Sequence, residues 1–294
     1  MRLRFIGALC CAALAATGAT PHNPASTQKL AALEARIGGR IGLYAIDTGT
    51  GAVLLRHADE RFAFCSSFKW LLAADVLERA LQAVRGRAQI SVEQRVPYTK
   101  AELVGHSPVT RDHLNEGAMS VGALCDAVIE ASDNGAANLL LPLVGGPTGV
   151  TAWLRGKGDA TTRLDRIEPA LNTNLAGDPR DTSTPAAMAA TMRRLLVGDD
   201  LPPEARDRVL RAMERSETGA QRLRAGIPKD WRAADKTGTC GERGAVNDLA
   251  VLWPPGRKPI VVASFLSDSA SDLAVLEGAQ RELGAIIAAE FAAP

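Results

Sequence analysis

Four short runs in this chain combine residue types that could do chemistry. The first is Ser66-Ser67-Phe68-Lys69, a hydroxyl and an amine three residues apart. It opens a helical pattern in which Phe68, Leu71, Leu72, Val76, Leu77, Leu81 and Val84 recur on one face and Gly86 ends the run. In the first turn of a helix the unpaired backbone N–H groups can stabilise an oxyanion, and an amine one turn on can accept a hydroxyl proton. Ser132-Asp133-Asn134-Gly135 interrupts two helical patterns, Glu168-Pro169-Ala170-Leu171-Asn172 lies in a stretch without periodicity, and Lys236-Thr237-Gly238-Thr239 lies on a strand pattern. Each run also has an ordinary reading: an N-cap with an exposed lysine, a turn, a solvated loop, and an edge strand whose lysine discourages aggregation. Their joint occurrence in this order weighs against four separate coincidences.

The elements that must position these runs are strands at both ends of the chain with helices between. Gln28 to Ile37 reads as a short helix ended by Gly38-Gly39, and Ile41 to Asp47 and Ala52 to Arg56 as a hairpin around Thr48-Gly49-Thr50-Gly51. Arg61 to Phe64 carries a strand pattern just before Ser66. From Ser67 to about Met213 the pattern is mostly helical, clearest over Val121–Ala131, Ala136–Val144 and Pro185–Leu196. Strands return at Arg232–Thr239, Ala245–Trp253 and Pro259–Leu266, and a helix from Asp272 to Ala288 closes the chain. The expected architecture is of the α/β type: one antiparallel sheet of about five strands, flanked by the terminal helices, with a helical lobe inserted. The α/β lobe takes residues 20–66 and 215–294 and the helical lobe 67–214, with a ligand cleft where they meet.

Residues 1–19 read as a secretory signal peptide. Arg2 and Arg4 precede an apolar run from Phe5 to Ala16, too short to span a bilayer, and Thr17-Gly18-Ala19 offers a cleavage site. Removing them changes the formal charge of the 294-residue chain from +1 to −1. A near-neutral product without a basic stripe or later apolar span gives no sign of nucleic-acid or membrane partners. The three cysteines left, Cys65, Cys125 and Cys240, fit one disulfide and one spare thiol in an oxidising compartment.

Ser66-x-x-Lys69, Ser132-Asp133-Asn134 and Lys236-Thr237-Gly238, in that order, resemble the signature set of the class A serine β-lactamases and the penicillin-binding proteins. Glu168-x-x-x-Asn172 tips the resemblance to class A, and Arg166 and Asp181 match that family's ion pair across the neck of an Ω-shaped loop. The resemblance implies a single catalytic domain over 20–294, with the transpeptidase-like fold and the active site between its lobes. It implies Ser66 as nucleophile, with its proton passing to Lys69 or, through a water, to Glu168. Backbone N–H groups of Ser66 and Thr239 would face the oxyanion, and Ser132, bridged to Lys236, would protonate the leaving nitrogen. Glu168 with Asn172 would direct the deacylating water, and Asn134 would hold the substrate's acylamide. Lys236, Thr237, Gly238 and Thr239, with Thr218 and Arg222, would receive the substrate carboxylate. The bond Glu168-Pro169 is expected to be cis.

Cys65 precedes the nucleophile and Cys240 follows the facing strand. Their pairing resembles the active-site disulfide of the class A carbapenemases, and Cys125 is left as a core thiol. At the rim, His106 stands where those enzymes often present Trp or Tyr. The reaction needs no cofactor, and no histidine or cysteine cluster has metal-ligand spacing. The expectation is a periplasmic, monomeric β-lactam hydrolase whose range includes carbapenems and which confers antibiotic resistance. Its rivals are a penicillin-binding D-alanyl-D-alanine peptidase and an exported sensor that acylates without turnover. Glu168 separates them, because neither rival needs a deacylating base.

Overall fold

Both faces of the central sheet are buried, and the strands that form it read accordingly. A computed structural model of the chain describes residues 24–84 and 90–292. The leader over 1–19 and the helix stop at Gly86 lie outside the described residues. In chain order, helix α1 (Pro24–Ile37) precedes β1 (Arg40–Asp47), β2 (Val53–Arg56) and the two-residue β3 (Phe62–Ala63). A 3₁₀ turn over Cys65–Phe68 then enters α2 (Lys69–Val84). There follow β4 (Arg95–Pro97), α3 (Pro108–Asp112), β5 (Ala118–Ser120), α4 (Val121–Glu130), α5 (Asn134–Leu140) and α6 (Gly146–Gly156). Next come β6 (Thr182–Ser183), α7 (Pro185–Met192), α8 (Pro203–Glu214) and the short α9 (Leu223–Gly226). The chain then runs through β7 (Arg232–Cys240), β8 (Ala245–Trp253), β9 (Ile260–Ser267) and α10 (Leu273–Glu290).

The sheet has the order β2-β1-β9-β8-β7, antiparallel throughout. Every residue of β9 is buried. Because side chains alternate across a strand, Val261, Ala263 and Phe265 join the core built around α2 and α4, while Ile260, Val262 and Leu266 pack with α1 and α10. A sheet covered on both sides gives near-continuous apolar runs, which is why β8 and β9 were legible from composition alone. The β1–β2 turn is fixed by Asp47, whose Oδ1 accepts the Gly49 and Thr50 amides at 2.8 and 3.2 Å.

Several local expectations shift. Ser66 sits in the 3₁₀ turn before α2 rather than in the first α-helical turn. The helix expected over Ala136–Val144 divides into α5 and a 3₁₀ turn at Leu141–Val144, where Pro142 supplies no backbone N–H. The one expected over Pro185–Leu196 gives way after Met192 to a π-turn over Arg193–Val197. The strand pattern over Arg61–Phe64 shortens to β3, which pairs with β6 at the end of the irregular 161–184 stretch. The pairing of β4 with β5 had no periodic signal, both strands being three residues long.

Candidate active site

The nucleophile segment and β7 are in direct backbone contact, and a glycine permits it. A Cβ built on Gly238 would fall 2.4 Å from the Phe64 carbonyl oxygen and 2.8 Å from the Ser67 amide nitrogen. Asn247, on β8 opposite Gly238, is buried and donates Nδ2 to the carbonyls of Ala63 (2.9 Å) and Phe64 (3.1 Å). The Cys65–Cys240 disulfide joins the same two elements, with Cα atoms 5.7 Å apart. Cys125 is the free, buried thiol. Cys65 (φ 50°) and Ser132 (φ 57°) both hold the left-handed backbone conformation, which costs a non-glycine residue about 1 kcal/mol or more. Strain therefore sits directly before the nucleophile and at the hydroxyl that faces it.

Around Ser66 the polar groups converge. Ser66 Oγ donates to Glu168 Oε1 at 3.4 Å. The fully buried Lys69 Nζ lies 3.0 Å from that same Glu168 oxygen, 2.7 Å from the Ser132 carbonyl, 2.5 Å from Asn134 Oδ1 and 3.5 Å from Ser132 Oγ. Lys236 is also fully buried and donates Nζ to Ser132 Oγ and to the Thr237 carbonyl, each at 2.9 Å. Burial lowers the pKa of both lysines. Glu168 offsets this for Lys69, whereas for Lys236 the cations of Lys69 and Arg222 push further down, to well below the ordinary lysine range. The edge-strand reading of Lys236 therefore holds for the strand, since β7 ends the sheet, but not for the lysine.

Glu168 belongs to no helix or strand, so side chains hold it. Asn138, on α5 one turn beyond Asn134, clamps its backbone by accepting from Glu168 N (3.0 Å) and donating to Glu168 O (2.9 Å). The Glu168-Pro169 bond is cis, as expected. Asn172 donates Nδ2 to Glu168 Oε2, and its own Oδ1 is buried with no hydrogen-bond partner. Arg166 and Asp181 form the ion pair expected across the loop neck (2.5 Å), and Asp181 also accepts the Asp165 and Arg166 amides. The solvated-loop reading thus fails at its centre, because Glu168, Leu171 and Asp181 are all buried.

Arg222 is buried beneath β7. It donates to the carbonyls of Gly238 (3.0 Å) and Asn247 (2.8 Å) and to Thr239 Oγ1 (2.7 Å), with Glu277 on its other side at 3.3 Å. Thr218 Oγ1 and Thr237 Oγ1 share a hydrogen bond at 2.5 Å. Exposed His106 places Nε2 3.0 Å from the Ala131 carbonyl, while its own carbonyl accepts the Asn134 amide at 2.8 Å. Ser66, His106, Ser132, Asn134, Asn172, Thr218, Arg222, Thr237, Gly238 and Thr239 line one cavity of about 600 Å³, which Leu273 and Glu277 close at one end. Lys69, Glu168 and Lys236 lie beneath that lining and are buried. Asn138, Asn247 and Glu277 were absent from the sequence reading. The first is detectable as a second asparagine one helical turn after Asn134, and the second as a polar residue inside an apolar strand. Among the described residues no group of His, Cys, Asp or Glu has the arrangement to hold a metal ion, and no helix is long and apolar enough to cross a membrane.

Such a cleft, with a serine beside a strained cysteine and with buried amines and a carboxylate on one network, fits a serine hydrolase. Comparison with known proteins specifies it. The profile of the Beta-lactamase enzyme family matches residues 25–291. The chain is 47% identical over 249 residues to a β-lactamase of Amycolatopsis lactamdurans, covering 85% of this chain and 80% of that protein. It is 44% identical over 252 residues to the carbapenem-hydrolyzing β-lactamase KPC of Klebsiella oxytoca, covering 86% and 84%. Among solved structures it superposes with a TM-score of 0.86 on the class A β-lactamase of the last common ancestor of Gram-negative bacteria, at 50% identity over 91% of this chain and 99% of that one. The chain belongs to the class A β-lactamase family.

Proposed function

We propose that this β-lactamase acts through a Ser66 ester hydrolysed by a Glu168-activated water, and that its range includes carbapenems. Ser66 Oγ attacks the lactam carbonyl and passes its proton to Glu168, the group it already faces at 3.4 Å. What favours Glu168 over Lys69 as the base is a count of donors. Lys69 Nζ touches the Ser132 carbonyl, the Asn134 amide oxygen and the Glu168 carboxylate, three groups that only accept. All three of its hydrogens are engaged, so it serves as an ammonium despite the pull of burial. Backbone N–H groups of Ser66 and Thr239 stabilise the oxyanion. Ser132 protonates the departing nitrogen and is recharged by Lys69, which takes up the proton held on Glu168. Lys236 keeps Ser132 in place. Thr237, Thr239, Thr218 and Arg222 hold the substrate carboxylate beside Gly238, Asn134 holds the acylamide, and His106 forms the rim.

The observation that carries the reading is the Glu168–Asn172 pair, set against the nucleophile with one acceptor, Asn172 Oδ1, buried and unfilled. A water donating to that oxygen and to Glu168 loses a proton to the carboxylate and attacks the ester carbonyl. The ester bond breaks, and the proton returns to Ser66 Oγ. A stalling peptidase or sensor has no use for this pair. The carbapenem range is supported by the Cys65–Cys240 disulfide and by the similarity to KPC. We further infer an exported monomer whose lobes divide near residues 66 and 214, protecting its host from β-lactams. The test is a progress curve with a carbapenem in large excess over purified protein. Sustained loss of ring absorbance over many equivalents is the expected result. Loss of about one equivalent followed by a stall would withdraw the carbapenem range, and the same stall with a simple penicillin would withdraw turnover altogether.

A further inference from the structure

A second cavity, of about 290 Å³, shares no residue with the Ser66 cleft. It lies between the 173–180 segment of the loop that carries Glu168 and the ends of β1 and β9, close to the β7–β8 turn. Its charged lining is unbalanced. Arg40, Arg61, Arg180 and Arg243 face two carboxylates, Asp178 and Asp268. Asp178 is taken by Arg180 at 2.8 Å. Asp268 is shared, accepting Arg40 Nε at 2.7 Å and Arg243 Nε at 2.9 Å. Arg40 has Glu60 as well, at 2.7 Å, outside the lining. Arg61 donates only to the Thr161 carbonyl (3.1 Å) and Thr182 Oγ1 (2.9 Å), and no carboxylate of the described residues is within ion-pair distance of it.

We propose that this cavity binds a compact divalent oxyanion of the phosphate or sulfate class, and that its occupancy steadies the loop behind Glu168 and Asn172. Guanidinium forks match the paired oxygens of a tetrahedral oxyanion better than any other side chain does. The space is less than half that of the substrate cleft and ample for such an ion with part of its water. The ion would touch the loop at Arg180, the sheet at Arg40 and the β7–β8 turn at Arg243, adding a bridge where Asn174 already ties the loop to Ser267 Oγ at 2.9 Å. Binding itself does not depend on the catalytic reading above.

The experiment titrates the whole protein with inorganic phosphate against sodium chloride of equal ionic strength, following thermal unfolding and backbone amide NMR shifts. With phosphate about tenfold above its Kd, Tm should rise by about 2–4 °C over the chloride control. Amide shifts should saturate at Leu175, Ala176 and Gly177, and Arg61→Gln should weaken binding about tenfold while leaving penicillin turnover unchanged. Should Arg61→Gln fail to fold, Arg180→Gln serves the same purpose. Shifts confined to Thr237–Thr239 would place the anion in the substrate-carboxylate cradle and overturn the proposal. So would an equal Tm rise in wild type and variant, or no rise beyond chloride.

Discussion

Two walls face each other across Ser66, and they are built on different principles. One is β7, an edge strand whose shape comes from its ladder with β8 and whose position comes from Gly238, Asn247, Arg222 and the disulfide. The other is the 161–184 loop, with almost no ladder of its own. Its shape comes from side chains: Arg166 with Asp181, Asn138 on the Glu168 backbone, and Asn174 on Ser267. The strand wall carries Lys236, Thr237 and Thr239, the groups proposed to bind and hold the substrate. The loop wall carries Glu168, which in the proposed mechanism takes up and gives back a proton in each half of the turnover. A ladder fixes geometry against the backbone, whereas a side-chain scaffold lets one carboxylate be buried beside a lysine.

Removing one anchor from each wall sharpens that contrast. Arg166→Ala leaves Asp181 buried without its cation and should cost about 3 kcal/mol. The damage should be local, with deacylation slowed more than acylation and new proteolytic cleavage within 161–184. Limited proteolysis and pre-steady-state kinetics check this, and an equal loss in both steps would break the distinction. Cys65→Ala releases a crosslink spanning 175 residues and should cost about 2–4 kcal/mol in global stability. Acylation should suffer more than deacylation there, as measured by denaturant melts beside burst kinetics.

A smaller effect tests the support under the strand wall. Burial, then the charge of Asp235, raises the Asp248 carboxyl well above the usual range, and its Oδ1 has no partner. Between the ordinary carboxylate range and that raised value the native state holds a proton that the unfolded chain has lost. Stability should therefore fall as pH rises through this window. Asp248→Asn should flatten that slope, gaining on wild type at pH 8 relative to pH 5 in thermal melts. Parallel pH dependences would mean that Asp248 is charged in the fold.

The same division explains what the sequence disclosed. The sheet strands were legible because two-sided burial leaves β8 and β9 as apolar runs. The loop had no period to read, so the Glu168–Asn172 run could be noted from its residue types, but its role and the Arg166–Asp181 pair surfaced only through the family resemblance. Asn138, Asn247 and Glu277 act on backbone or on another side chain from elements otherwise explained by packing. The local pattern marks Asn138 and Asn247 as unusual without saying what they hold, and leaves Glu277 unmarked; only the folded contact gives their roles. The 3₁₀ turn at Cys65–Phe68 was missed for a related reason: the close approach of β7 that accompanies it is not visible from the turn's own residues.

The central claim is that Glu168 is needed to break the ester rather than only to form it. The most direct measurement is intact mass spectrometry of Glu168→Ala, sampled over time after mixing with a penicillin. With its carboxylate partner gone, Lys69 loses one of its three acceptors and burial favours its neutral amine, which can then take the Ser66 proton. The account predicts a more slowly formed adduct of one intact penicillin mass that persists for many wild-type turnover times, with steady-state hydrolysis reduced by about 10²–10⁴-fold. Undiminished turnover with no accumulating adduct would contradict it.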